Sequence, residues 1–274
     1  METEDFSYKN YLNRFGIQNI CFFPKNGELI SHQDDWFTPF EQYKNSFNQR
    51  LREIFIKPYS DFASGILLGS RSGLSDYWTE VLKNTGLTHV IAISGYNITL
   101  IINILIALLF FLRRPWRYVA IFPVLIIFML ITGADAPVVR ATIMGIIASI
   151  AVQLGRPNSL LIALLWSALF MVLFNPLVLY YDIGYQLSVA ATLGIILLYP
   201  KFEQWWDINK ERDLFKEVAA LTISAQLAVT PLLLYHFHSF SFISLGANIL
   251  LTWLIPFAML LAFLAVFTSN IPII

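Results

Sequence analysis

From Gly86 onward the chain is a series of seven apolar runs, at about residues 87–112, 117–132, 137–154, 159–179, 183–200, 217–235 and 241–267, parted by short polar connections. The hydrocarbon core of a bilayer is about 30 Å thick and takes roughly 20 apolar helical residues to cross. Inside it only helices and closed barrels satisfy their own backbone groups. The series therefore predicts an all-α polytopic membrane protein with about seven transmembrane helices. Composition agrees, with 57% of residues hydrophobic and 13% charged, against about one quarter charged in a soluble domain. The formal charge is zero, so no global field recruits nucleic acid or anionic lipid, and any handling of charged material rests on local features. Cys21 is the only cysteine, which excludes an intrachain disulfide framework and a cysteine-rich metal site.

The connections carry the orientation. Arg113, Arg114 and Arg117 follow the first run, Arg156 the third, and Lys201, Lys210, Arg212 and Lys216 the fifth. The alternate connections, "TGADAP", "NPLVLYYD" and "HFHS", hold no lysine or arginine. The positive-inside tendency puts the first set in the cytoplasm and the second outside. Residues 1–86 then lie outside, since they contain no run long enough to span. The first twenty residues lack the apolar stretch of a cleavable signal peptide, so an internal segment directs insertion.

Within the exterior part, residues 1–35 read as a short β-like piece, with brief apolar runs broken by Pro24, Asn26 and Gly27. Residues 36–86 read as exterior or interfacial amphipathic helices. Phe40, Tyr43, Phe47, Leu51, Ile54 and Phe55 recur at helical spacing, which predicts a helix that lies on the membrane or packs on the bundle. Pro58 starts a new segment, and a later helix is expected to be capped by Ser75 and closed by Gly86. The transmembrane bundle occupies residues 87–274.

Several runs carry polar residues that lipid cannot hydrogen-bond: His89, Ser94, Gly95, Asn97 and Asn103 in the first, Arg140 in the third, and Gln186, Ser188 and Thr192 in the fifth. Gln226 follows in the sixth, and Ser244 and Asn248 in the seventh. Singly, such residues are interhelical glue. Together they predict a bundle that encloses a hydrated path or site. Arg140 is the sharpest of them, because a charge within a span marks a pathway or a buried pair. Asp135 is its natural partner, and the competing reading has Arg140 snorkelling to the interface. His89, His236, His238 and Asp182 are the candidates for an exterior metal cluster, but no spacing joins them and no metal ligand is assigned. The chain has no G-x-S-x-G, no H-E-x-x-H and no phosphate-cradling G-x-x-x-x-G-K-[ST] loop, so neither catalysis nor nucleotide hydrolysis is expected of it, and no cofactor. Gly95 reads as a point where a helix breaks or neighbours approach closely.

Four stretches carry a resemblance: "GILLGSRSGLSDYWTEVLKNTGLTHVIAISGYNITLI", "TGADAPVVRATIMGIIASIAVQLGRP", "YDIGYQLSVAATLGIILLYP" and "SAQLAVTPLLLYHFHSFSFISLGANILLTWLIPF". In this order, over roughly residues 60–257, they resemble the competence domain of the ComEC-type DNA-internalisation family. The resemblance implies a multi-pass plasma-membrane channel that passes single-stranded DNA into the cytoplasm during natural transformation. Its implied partners are the lipid bilayer, an exterior DNA receptor, a cytoplasmic DNA-translocating ATPase or single-strand-binding protein, and a separate nuclease. The candidate DNA pathway comprises His89, Ser94, Gly95, Asn97, Asp135, Arg140, Gln186, Ser188, Gln226 and Asn248. Phosphates would meet helix N-termini near Gly86, Gly95 and Pro137 together with Arg140. Trp78, Tyr96, Tyr180, Tyr181 and Tyr185 would either stack bases or form an interfacial belt.

Two departures qualify the resemblance. Asn97 stands where the family commonly has histidine, so an imidazole role does not carry over. No H-x-H-x-D-H run of the family's metallo-β-lactamase-like nuclease occurs, and residues 1–35 resemble only a remnant of its oligonucleotide-binding-type domain, as in a fragment of a longer protein. The alternative function is a small-solute transporter or an intramembrane lipid-processing enzyme. A transporter should show paired repeats and an enzyme should show carboxylates at depth; the spans show neither.

Overall fold

The structure is a computed structural model that describes residues 37–70, 73–91, 93, 95–156, 159–207, 213–237 and 243–268. The expected β-like piece at 1–35 lies outside the described residues. Within them all regular structure is helical: α1 (Thr38–Ile54), α2 (Tyr59–Leu68), α3 (Asp76–Asn84), α4 (Thr88–Ile91), α5 (Gly95–Leu108), α6 (Arg114–Thr132), α7 (Ala136–Gln153), α8 (Leu160–Phe174), α9 (Leu177–Tyr181), α10 (Ile183–Trp205), α11 (Leu214–Phe237) and α12 (Ile243–Thr268).

Turn chemistry sets many of these boundaries. Ser75 occupies the N-cap of α3 by its backbone, although its side chain makes no cap bond. Gly86 closes that helix with φ 69°, while Leu87 N–H reaches the Leu82 carbonyl at 2.8 Å; only a residue free of a Cβ takes that left-handed turn cheaply. Asp182 caps α10 by accepting from Tyr185 N–H at 3.0 Å, and Asp135 with Pro137 opens α7. The boundaries at Ser75 and Gly86 are those the sequence predicts, while Asp182 and Asp135, read there as a metal candidate and as the partner of Arg140, open helices instead.

α7, α10 and α11, of 18, 23 and 24 residues, are long and apolar enough to cross a membrane, and α12 makes a fourth span if its two bent halves count as one. The chain is a multi-pass membrane protein. Apolar side chains on the outer surface agree with this: on α8, Leu165, Trp166 and Leu173 are 59%, 51% and 69% exposed, a face that suits lipid and not water. Fewer full-length helices appear than the seven runs predict, and the reasons are local. The first run is split between α4 and α5, so that α5 starts at Gly95. The fourth stops at Asn175–Pro176, leaving α8 at 15 residues, about 22 Å. In α12 the halves Ile243–Leu251 and Leu254–Thr268 meet at 48°, one turn before Pro256, whose ring displaces the bond to the carbonyl four residues back.

Three apolar clusters hold the bundle. Leu51 of α1, with Leu67 and Leu68 of α2, packs on Met259, Ala262 and Val266 of α12. The amphipathic α1 therefore lies on the bundle, although Tyr43 is 70% exposed. Ile98, Ile121, Leu125, Val138 and Ala141 join α5, α6 and α7, and Met171, Val178 and Tyr185 join α8, α9 and α10.

Candidate functional site

The helices enclose a large open cavity of about 2550 Å³. Its walls come chiefly from α5, α7, α8, α10, α11 and α12, while α1 contributes Lys44, Asn45 and Asn48. Along α11 the lining recurs at helical spacing from Leu214 through Leu221, Ala225 and Val229 to Phe237, the first and last residues of that helix. The cavity thus runs beside the full 24 residues, about 36 Å of helix.

Three helix N-termini gather toward one end of it. A Cβ built on Gly184, at the start of α10, would lie 3.6 Å from Pro137 in the first turn of α7; one built on Gly95, the first residue of α5, would lie 3.6 Å from Ala141. The N-terminus of α12 stands apart from them, beside the middle of α11, where Ser244 accepts from Gln226, and His89, before α5, pairs with Asn248 in the second turn of α12. Each N-terminus carries the positive end of a helix dipole. Asp135 and Asp182 stand at the same end and offset part of that potential, and Lys44 faces Asp135 in turn. Burial pushes the Lys44 ammonium below its usual range, with Asp135 and then Glu41 opposing the shift. Its Nζ donates to the Thr132 carbonyl at 3.0 Å, the C-terminal and negative end of α6.

Of the predicted pathway residues, His89, Gly95, Asn97, Asp135, Arg140, Ser188, Gln226 and Asn248 all line this cavity. Asn97 is also tied into the wall, donating from Nδ2 to the Ile66 carbonyl at 3.4 Å. Gln226 donates to the Ser244 hydroxyl at 3.2 Å. Ser94 lies outside the described residues. Gln186 is placed elsewhere: its Nε2 donates to the carbonyls of Leu179 and Tyr180 at 3.0 and 3.1 Å, and its Oε1 meets His236 at 2.8 Å. It braces the α9–α10 corner.

The pairing of Arg140 with Asp135 is not found. Arg140 Nη1 donates to the Ser188 carbonyl and the Thr192 hydroxyl of α10, and Arg140 forms no ion pair among the described residues. At 7% exposure it does not snorkel either. Among the described residues the candidate exterior cluster does not come together. His89 and His236 hold amide partners, Asp182 caps α10, His238 is outside the described residues, and no three metal-binding side chains gather among those described.

Sequence reasoning missed Lys44, Asn45 and Asn48. One signal was present: Phe40, Lys44, Phe47 and Leu51 follow steps of four, three and four, so Lys44 interrupts an apolar stripe.

Residues 66–274 match the Competence protein family. The chain belongs to that family. It is 30% identical over 199 residues to ComE operon protein 3 of Bacillus subtilis (strain 168), an alignment that covers 70% of this chain and 24% of that protein. The chain thus spans about a quarter of the curated relative it matches. No solved structure matches it. Every helix from α3 to α12 falls inside the family match, whereas α1, with Lys44 at the cavity, falls before it.

Proposed function

We propose that this chain is a membrane channel that passes single-stranded DNA into the cytoplasm during natural transformation. The observation that carries the reading is the cavity that follows α11 from end to end. A small-solute pocket measures about 300–1,000 Å³, and a space of about 2550 Å³ suits a polymer threaded through it. Family membership points the same way. A strand brings about one negative charge per nucleotide, and conduction needs sites attractive enough to enter and weak enough to leave. Three dipole ends, one buried arginine and many neutral amides and hydroxyls meet that need without a trap of fixed cations.

Seven crossings are part of the same proposal, and the ends of the helices support them. With the N-termini of α5, α7 and α10 at one end, α6 must return between α5 and α7, and α8 with α9 must return between α7 and α10. By the arginine and lysine asymmetry that shared end faces outward, as do α1 to α3, in the plasma membrane. The chain serves as a conduit and not as an enzyme. Strand hydrolysis, capture and pulling fall to a separate nuclease, an exterior receptor and a cytoplasmic ATPase or single-strand-binding protein. The test is uptake of labelled DNA by a competent host with the gene deleted. Surface binding is expected to persist while entry of nuclease-protected label into the cytoplasm stops, and undiminished entry would refute the reading.

A further inference from the structure

We infer that Arg140 and the N-terminus of α5 form a binding site for a single phosphodiester anion in the cavity wall. The inference deepens the strand-passage reading and rests on it for the natural source of the phosphate. Arg140 is 93% buried, being 7% exposed, and the partners of its Nη1 are uncharged. Nε is enclosed and has no partner. Nη2 makes no hydrogen bond among the described residues, and unlike Nε it is not enclosed. It faces Gly95, where an added Cβ would lie 3.7 Å away.

Gly95 opens a helix of 14 residues. The first amides of such a helix have no partner within it and carry its positive end. A guanidinium with no counterion among the described residues therefore faces the residue that opens the positive end of a helix. Two such potentials repel, and burying an unpaired charge is costly. An anion between them removes both penalties. The nearby carboxylates are committed: Asp182 caps α10, and Asp135 faces Lys44. A phosphodiester suits the gap because its single charge matches one guanidinium, and its two free oxygens can serve Nη2 and a helix amide separately.

The test uses the full chain in maltoside micelles, free of phospholipid, with fluorescent decathymidylate as the probe and anisotropy read over a potassium chloride series. Arg140→Gln is expected to weaken binding about tenfold or more, and to flatten the dependence of log affinity on log salt by about 0.7, the value of one lost phosphate contact on a single strand. Arg140→Lys should keep the slope. Gly95→Ala adds a methyl that meets only ordinary contacts, so it should fold normally and still weaken binding by covering Nη2. Should Arg140→Gln fail to accumulate, the lysine and alanine variants decide. Wild-type affinity and slope in both Arg140→Gln and Gly95→Ala, or loss of the slope in Arg140→Lys, would overturn the site while leaving strand passage intact. A second arm adds glycerophosphocholine, a soluble lipid-headgroup diester, and follows thermal unfolding. A stabilising shift lost in Arg140→Gln, in a protein that does not bind decathymidylate, would keep the site, assign it to lipid headgroups and refute strand passage.

Discussion

Arg140 and Asp135 stand five residues apart, and at 3.6 residues per turn that spacing leaves two side chains about 140° apart around a helix. Neighbours on one face need three or four. Asp135 sits on the N-cap, beyond the helix proper. Sequence could therefore single out Arg140 as a charge in a span but could not name its partners, which lie 48 and 52 residues away on α10. One consequence is that Asp135→Asn should leave accumulation unchanged alone, and should not rescue uptake in an Arg140→Gln background, the two effects adding as independent sites do; rescue in the double variant would restore the pair. Lys44 makes a separate demand. Its folded pKa lies below the unfolded value because burial disfavours the ammonium. Below the folded pKa the lysine is charged in both states and the full burial penalty applies. As pH rises through that pKa toward about 10.5, the unfolded chain binds more protons than the native one and native stability rises. Lys44→Met has no such group, so the wild-type thermal midpoint should gain on the variant between pH 7 and pH 10. A constant difference would mean that the Lys44 ammonium is not desolvated.

Elements were legible wherever local chemistry decides. The α1 periodicity and the Gly86 stop can be found by eye, whereas Asp182, read from the sequence only as a metal candidate, proves to be a helix cap. Helix length in the first and fourth runs was not legible, because apolar composition continues across the local breaks before Gly95 and at Asn175–Pro176. Close helix pairing was also hidden. Gly194 of α10 faces α11 so tightly that an added Cβ would contact Ala228 and come within 2.6 Å of the Ser224 carbonyl, whereas a Cβ on Gly246 of α12 would meet nothing within 4 Å. Both are glycines in apolar helices, and sequence gives them equal weight. Gly194→Ala should force α10 and α11 apart at a cost of about 1–3 kcal/mol, the usual range for overpacking. Gly246→Ala should be neutral or slightly stabilising. Thermal unfolding in micelles separates the two, and equal midpoints would show that the α10–α11 contact is looser than described.

At the scale of the whole molecule, sequence supplied the number of apolar runs and the sign asymmetry of their connections, but not which helices face the cavity. Polar residues mark a helix that needs a partner without saying which one, and α6 contributes little to the lining although its run is as apolar as the others. Orientation is where the two kinds of information meet. The structure gathers the N-termini of α5, α7 and α10 toward one end, and α5 and α10 run from there toward the basic connections 113–117 and 201–216. If those connections are cytoplasmic, the positive ends open outward and draw an incoming phosphate chain into the cavity. If they are exterior, the same dipoles hold the chain back at the cytoplasmic side, and inward passage loses its electrostatic entry. The measurement is impermeant thiol labelling of intact cells in a Cys21→Ser background, with single cysteines at Tyr77, Trp116 and Asn209. Tyr77 and Trp116 are 67% and 65% exposed, so the protein itself does not shield a cysteine at either. Labelling is expected at position 77 in intact cells, and at 116 and 209 only after the membrane is permeabilised. The reverse pattern would turn the cavity around and remove the argument for DNA import.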